Sequence, residues 1–231
     1  MREALEAGLR LVDAFVAADD DGAAALAQDL EQAGVDCLDV GDNVLRAVSD
    51  TSTPQGVVAV AEIPSFSIRD LPPSSELVLV LAEVRDPGNA GTLVRSAAAA
   101  GAGCVVFSEG SVDPFGPKTV RAASGAIFKI GIARSSPLVP TLLALKERGF
   151  AAVGAEGSSN AVLYDLDLRR PTAVVLGNEA HGLPQGVVEV LDEVARIPVD
   201  DAVESLNVAT AGSIFLFEAV RQRRLSSAPH G

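Results

Sequence analysis

The sequence predicts an α/β protein: a mainly parallel sheet with helices on both faces, preceded by a small α/β unit. Three observations lead there. Apolar runs of strand length alternate with helical patterns along the chain, as the crossovers of a parallel sheet require. Several runs, "LVLVLAEV" above all, are almost continuously apolar, as strands are when both faces are covered. The interior they imply is aliphatic: hydrophobic residues make up 48% of the 231, aromatics only 4%, and there is no Trp.

Taken in order, residues 2–10 read as a short helix and "LVDAFVA" as a strand. "DGAAALAQDLEQAG" is an Ala-rich helix closed by Gly34, the residue type that ends helices in a left-handed turn. "VDCLDV" is a second strand, "NVLRAVS" a short helix, and "TPQGVVAVAEIP" a turn and strand that Pro64 stops. These elements make a first domain over residues 1–64. "PSFSIRDLPPSSE" is rich in Pro and Ser, so 65–76 reads as a linker. The second domain, 77–231, opens with the strand "LVLVLAEV". A helix follows, "NAGTLVRSAAAAGA", with Asn89 as its N-cap and Gly101 past its end. Then come the strand "CVVFS", a helical "GPKTVRAASGAIF" with Pro117 in its first turn, the helix "LVPTLLALKERG" and the strand "FAAVGAE". "TAVVLG" is a strand, "LPQGVVEVLDEV" a helix, "ARIPV" a strand, and "SLNVATAGSIFLFEAVRQRR" the closing helix. The tail "LSSAPHG" is expected to be disordered.

Charge is uneven. The net charge is −13; residues 1–76 hold 4 basic and 15 acidic side chains, net −11, and the rest hold 14 and 16, net −2. An acidic surface of this kind disfavours non-specific polyanion binding, so a nucleic-acid partner would need a local basic patch in the second part. The longest apolar run is too short to span a bilayer, and "MREALEAGLRLV" lacks the apolar core of a secretory signal. Cys37 and Cys104 match no metal or redox spacing and read as reduced thiols of a cytoplasmic protein. No metal site is expected.

In open parallel sheets, ligands sit beyond the carboxyl ends of the strands. Three loops there carry unusual residues: "EVRDPGNAGTLVRSA", "TAVVLGNEAHGLP" and "IPVDDAVESLNVAT". A dinucleotide fingerprint is absent, because "GAGCVVF" has its glycines before a strand and no clear helix follows "VGAEGSSN". A hydrolase elbow, G-x-S-x-G, is absent too. Glu179 and His181, two residues apart, pose the question of an acid–base pair.

Taken together, "DPGNAGTLVRSAAAAGA", "VVLGNEAHGLP" and "IPVDDAVESLNVATAGSIFLFEA" resemble, in order and spacing, the three motifs of the SpoU family of RNA ribose 2′-O-methyltransferases, within the SPOUT superfamily. "KTVRAASGAIF" resembles the family as well, and "SDTSTPQGVVAV" looks like the end of its ribosomal-protein-like substrate-binding domain. Two departures stand out. Asp201 stands where members usually carry glycine, and the strand that usually precedes "REALEAG" is missing.

The resemblance implies a C-terminal methyltransferase domain with a trefoil knot, S-adenosylmethionine held in the knot, a homodimer, and RNA as substrate, ribosomal RNA ahead of transfer RNA; the alternative is a non-catalytic RNA-binding protein that retains the fold. It also implies roles. Gly177, Ile197 and Leu206 would contact the cofactor, largely through backbone groups. Arg95 would act at the reacting ribose. A guanidinium stays protonated, so it suits clamping a phosphate and stabilising a developing alkoxide better than taking a proton. Asn89, Glu179, Ser205 and Asn207 complete the catalytic set: Glu179 to hold loop geometry or order the arginine, Ser205 and Asn207 to flank a helix start and reach the ribose or cofactor. Lys118, Arg121 and Lys129 are candidates for phosphate contact. Arg221, Arg223 and Arg224 would complement the dipole of the last helix. His181 has no family role.

Overall fold

The central strand of the larger sheet, β4 (Leu77–Leu81), is buried at all five positions, and it shows why its sequence is continuously apolar. Leu77, Leu79 and Leu81 join one core and Val78 and Val80 the other, because successive side chains point to opposite faces. The computed structural model describes residues 1–49, 56–200 and 202–227. It divides into two compact units, Met1–Pro64 and Ser65–Gly231.

The first unit holds α1 (Arg2–Glu6), β1 (Leu11–Ala17), α2 (Asp21–Gln32), β2 (Asp36–Val40), α3 (Asp42–Val48) and β3 (Val57–Ala61). Its sheet has the order β2-β1-β3, with β1 parallel to β2 and antiparallel to β3. Asp20 caps α2 by accepting the N–H groups of Gly22 and Ala23, and Gly34 takes a left-handed turn past its end. The core is small: Ala14, Leu30 and Val35, with Leu5, Leu11 and Leu26 packed against it. Most of "SDTSTPQ" lies outside the described residues.

The second unit is a six-stranded sheet in the order β6-β5-β4-β8-β7-β9, every pairing parallel. Its strands are β4, β5 (Cys104–Ser108), β6 (Gly131–Ser135), β7 (Ala151–Ala155), β8 (Thr172–Leu176) and β9 (Glu193–Ala195). The helices are α4 (Pro87–Ala99), α5 (Pro117–Ala123), α6 (Leu138–Glu147), α7 (Gln185–Val188) and α8 (Val208–Ser227). On one face Leu93 and Val94 of α4 and Phe215 and Leu216 of α8 pack with Leu79, Leu81, Val174 and Leu176. On the other, Leu142 and Leu145 of α6 pack with Val78, Val80 and Val175. Each such leucine contributes roughly 1.5–3 kcal/mol by leaving water. Burial also pushes the Cys104 thiol up to about 12, so it stays protonated and inert.

Several elements differ from the expectations, each for a physical reason. The residues read as a linker pack on the second unit: Leu71 is buried, Phe66 and Ile68 lie on the core, and Arg148 donates to the carbonyls of Ile68 and Leu71. A strand unmarked in the sequence analysis, β6, forms at the sheet edge. "GPKTVRAASGAIF" breaks after Ala123, since Ser124 and Gly125 both adopt left-handed backbone. "LPQGVVEVLDEV" is helical only over α7, because Glu193 and Val194 are drawn into β9 alongside β7, and β9 ends at Ala195. Asn89 is not the N-cap of α4. Pro87 takes the first helical position and the Asp86 carboxylate accepts the Asn89 N–H at 2.7 Å. Helix α8 continues through Ser227; residues 228–231 of the tail, and Asp201, lie outside the described residues. Arg223 turns from its own helix to the carbonyls of Leu168 and Arg170, and Arg221 pairs with Glu218. Among the described residues no helix is long and apolar enough to cross a membrane.

Candidate functional site

Where β8 ends, the chain folds back on itself. Asn178 and Gly182 exchange both backbone hydrogen bonds, each 2.9 Å, and close a tight hairpin over Glu179–His181. Gly177 lies against this hairpin. A Cβ there would sit 2.3 Å from the carbonyl carbon and oxygen of Gly182 and 2.5 Å from the Leu183 nitrogen, so close approach, rather than backbone angle, demands glycine. Asn178 fixes the hairpin from inside. Its Oδ1 accepts the N–H groups of Ala180 and His181, and its Nδ2 donates to the Glu83 carbonyl at 2.9 Å. Asn178, between Gly177 and Glu179, is not among the residues the sequence singles out.

A chain of side chains then joins three distant segments. Asn89 Nδ2 donates to Glu179 Oε1 at 3.2 Å, and Asn207 Nδ2 donates to Asn89 Oδ1 at 2.9 Å. Asn207 Oδ1 in turn accepts the N–H groups of Ala209 (2.8 Å) and Thr210 (3.3 Å), capping α8. Glu179 also lies 3.5 Å from the backbone nitrogens of Arg85 and Asp86, a long contact that orients rather than binds. The carboxylate therefore ties β8's hairpin to the start of α4, and Asn89 ties α4 to the start of α8.

These segments enclose a pocket of about 790 Å³ beyond the carboxyl ends of β7, β8 and β9. Its size is that of a cofactor site. Leu176, Ala195, Ile197, Leu206 and Phe215 supply apolar surface; Glu156, Glu179 and Glu204 supply carboxylates, and Arg196 a cation. Of the residues singled out from sequence, Asn89, Gly177, Glu179, Ile197, Ser205, Leu206 and Asn207 line this one pocket. His181 lines it too, but its ring Nδ1 faces Asn178 Oδ1 at 3.1 Å while Glu179 faces Asn89, so the two are not paired as acid and base.

Arg95 is not among the lining residues. It stands on the exposed face of α4 with Gly88, Thr92 and Ala99, and makes no ion pair or side-chain hydrogen bond with any described residue. Lys118 and Arg121 on α5, and Lys129 just beyond it, are likewise exposed and unpaired among the described residues. Helix α5 packs against α4 closely enough that a Cβ on Gly91 would meet Thr119 O at 2.6 Å and Ala122 Cβ at 2.5 Å. Exposed cations thus stand on two helices packed together, in a chain of net charge −13.

Comparison with known proteins gives consistent matches. Residues 76–217 match the SpoU rRNA Methylase family, and residues 1–67 match the RNA 2′-O ribose methyltransferase substrate binding family. The chain is 33% identical over 190 residues to the 23S rRNA guanosine 2′-O-methyltransferase RlmP of Bacillus subtilis, covering 82% of this chain and 74% of that protein. It is 36% identical over 198 residues to the 23S rRNA guanosine 2′-O-methyltransferase RlmB of Ralstonia nicotianae, covering 84% and 80%. Among solved structures, the SpoU methyltransferase AviRb from Streptomyces viridochromogenes in complex with AdoMet superposes with a TM-score of 0.87 at 27% identity, covering 98% of this chain and 88% of that one.

Proposed function

The chain belongs to the SpoU rRNA methylase family, and from that premise we propose that it transfers a methyl group from S-adenosylmethionine to a ribose 2′-hydroxyl of ribosomal RNA. The observation that carries this reading is the single pocket into which residues from three distant loops converge. Relatives named as 23S rRNA guanosine methyltransferases make a guanosine the first target to test.

The pocket fits S-adenosylmethionine. Gly177 leaves backbone exposed where a Cβ would intrude, apolar residues can take an adenine ring, and three carboxylates suit a cationic ligand. Gly177, Ile197 and Leu206 would hold it. When bound, it supplies a methyl group already activated by a sulfonium. The chain's own residues then have the work of placement. Asn89, Glu179 and Asn207 keep the walls in register through their hydrogen-bond chain, with Ser205 on the rim. Placing a 2′-oxygen in line with the methyl group accounts for much of the rate. Arg95 stays charged and exposed, and we assign it to the phosphate beside the reacting ribose and to the negative charge growing on the 2′-oxygen as the hydroxyl proton passes to water. Lys118, Arg121 and Lys129 extend that cationic surface along the RNA.

The same proposal includes a homodimer. Phe217 of α8 is 47% exposed, an apolar surface that suits burial against a second copy. It also includes a knotted path, for which membership of the SpoU family is the support. A cytoplasmic setting suits two free thiols.

The test is methyl transfer from tritiated S-adenosylmethionine to 23S rRNA, with the product ribose mapped. Arg95→Ala is expected to lower transfer at least about a hundredfold while S-adenosylhomocysteine binds with unchanged heat. No transfer by the wild type to any ribosomal RNA would sink the proposal, and full activity in Arg95→Ala would sink the assignment of the arginine.

A further inference from the structure

The sheet order places β4 between two halves of the carboxyl edge, and the cofactor pocket occupies only one of them. Across β4, beyond β5 and β6, lies a second cavity of about 540 Å³. The segment that leaves β4 ties a residue lining one cavity to a residue lining the other. Glu83 donates its N–H to Ser108 Oγ on the side of the second cavity and accepts from Asn178 Nδ2 on the side of the first. It holds this bridging position at φ 61°, a left-handed conformation rare outside glycine. Val84 O accepts the Val112 N–H and braces the same segment.

The chemistry of the second cavity is specific. The Ser136 hydroxyl donates to one oxygen of the Glu109 carboxylate and steadies it; that oxygen keeps a lone pair and the other is open, so both can accept from a ligand. Arg134 pairs with Asp113 and lies over the Phe115 ring, 5.8 Å from its centre. Its charge is therefore balanced, and with Glu109 nearby the cavity repels a phosphate. What it offers is a planar guanidinium for stacking, apolar surface, and a carboxylate acceptor. A flat, uncharged ligand with two adjacent N–H donors satisfies that set. Among nucleobases guanine alone carries such a pair, N1–H and the N2 amine side by side; adenine and cytosine each present one amine next to a ring acceptor.

We propose that the cavity beyond β5 and β6 holds a guanine base of the RNA substrate, with Glu109 accepting from N1–H and N2–H and Arg134 stacking on the ring. The proposal rests on the RNA methyltransferase reading and extends it from the reaction to the choice of nucleotide. The reacting ribose would then lie between the two cavities, over the β4–α4 segment, with its base on one side and the methyl donor on the other.

The experiment uses the full chain, isotopically labelled and saturated with S-adenosylhomocysteine so that the first pocket is filled. Guanosine, inosine and adenosine 5′-monophosphates are titrated against it and backbone amide shifts followed by NMR. Guanosine monophosphate is expected to shift amides of 108–113 and 134–136. Inosine monophosphate, lacking the N2 amine, should bind several-fold more weakly, and adenosine monophosphate more weakly still. In Glu109→Ala, affinity for guanosine monophosphate should fall by about ten- to a hundredfold, to the level of adenosine monophosphate, with S-adenosylhomocysteine binding and melting temperature unchanged. Equal affinity for all three nucleotides, shifts confined to other surfaces, or an unaltered preference in Glu109→Ala would each overturn the proposal. Failure of the reaction reading is separate: it shows as absent methyl transfer by the wild type. Wild-type transfer to guanosines with the same choice of nucleotide in Glu109→Ala would discard the base site alone.

Discussion

Gly177→Ala puts a methyl group where the structure leaves none. The added carbon would lie 2.3 Å from two backbone atoms of Gly182, against an ordinary contact of 3.4–4 Å, so the hairpin must retreat by about 1 Å. Neither obstacle is the end of a flexible side chain, and retreat pulls on the two 2.9 Å hydrogen bonds between Asn178 and Gly182. Overpacking of this kind costs about 1–3 kcal/mol, and each weakened hydrogen bond about 0.5–1.5 kcal/mol. The hairpin sits at the protein surface and opens more readily than the sheet beneath it unfolds, so most of the cost falls on the bound state. Affinity for S-adenosylhomocysteine should drop by at least about 2 kcal/mol, roughly thirtyfold, measured by titration calorimetry at 25 °C. Gly186→Ala is the control, because a Cβ there meets nothing within 4 Å. A dissociation constant for Gly177→Ala within twofold of wild type would refute the account of this glycine.

Two further outcomes follow from the packing. Asn207→Ala removes the cap of α8 and the partner of Asn89, and should cost about 1–2 kcal/mol, read as a melting temperature lower by about 2–8 °C, with S-adenosylhomocysteine binding weakened as well. Asp192 works through pH. Burial raises its pKa, but the Lys146 ammonium at 2.9 Å and the Ala152 N–H outweigh this and hold the carboxyl below its ordinary value. A depressed folded pKa means the stabilisation is complete above the unfolded value of about 3.9 and is lost as pH falls through the folded one. Asp192→Asn should therefore destabilise at pH 7 by about 1–3 kcal/mol and by progressively less below about pH 4. A constant difference in melting temperature from pH 7 down to pH 3 would contradict the assignment.

The parts of the fold that were legible in sequence are those with strong punctuation. β5 begins after Gly103 and ends at the Glu109–Gly110 turn, and its five residues leave no other assignment. β6 escaped because an edge strand has half the burial to advertise: Gly131 and Arg134 interrupt its pattern, and Arg134 is exposed. "LPQGVVEVLDEV" has helical spacing of apolar residues, but the free edge of β7 claims its last residues, and that pairing is non-local. The site followed the same division. Residues whose chemistry depends on backbone approach or capping, Gly177 and Asn207, stood out through the motifs that resemble the family. The distance of Arg95 from the pocket could not, since its spacing from Asn89 says nothing of which groove each helix face meets. Asp86 and Asn178 act through geometry that only folding creates.

The pairing of β4 with β8 also sets a timetable for synthesis. Leu77–Leu81 finds its partner Thr172–Leu176 only after roughly ninety more residues have been joined, about 5–20 s at ordinary rates of elongation. Until then β4, β5 and β6 can associate as a half-sheet, but one side of β4 stays open, a fully apolar edge of the kind to which other nascent chains adhere. The first unit has by then closed its own three strands. Slowing the ribosome between the codons for residues 82 and 171 should therefore raise aggregation during expression more than an equal delay placed before residue 64.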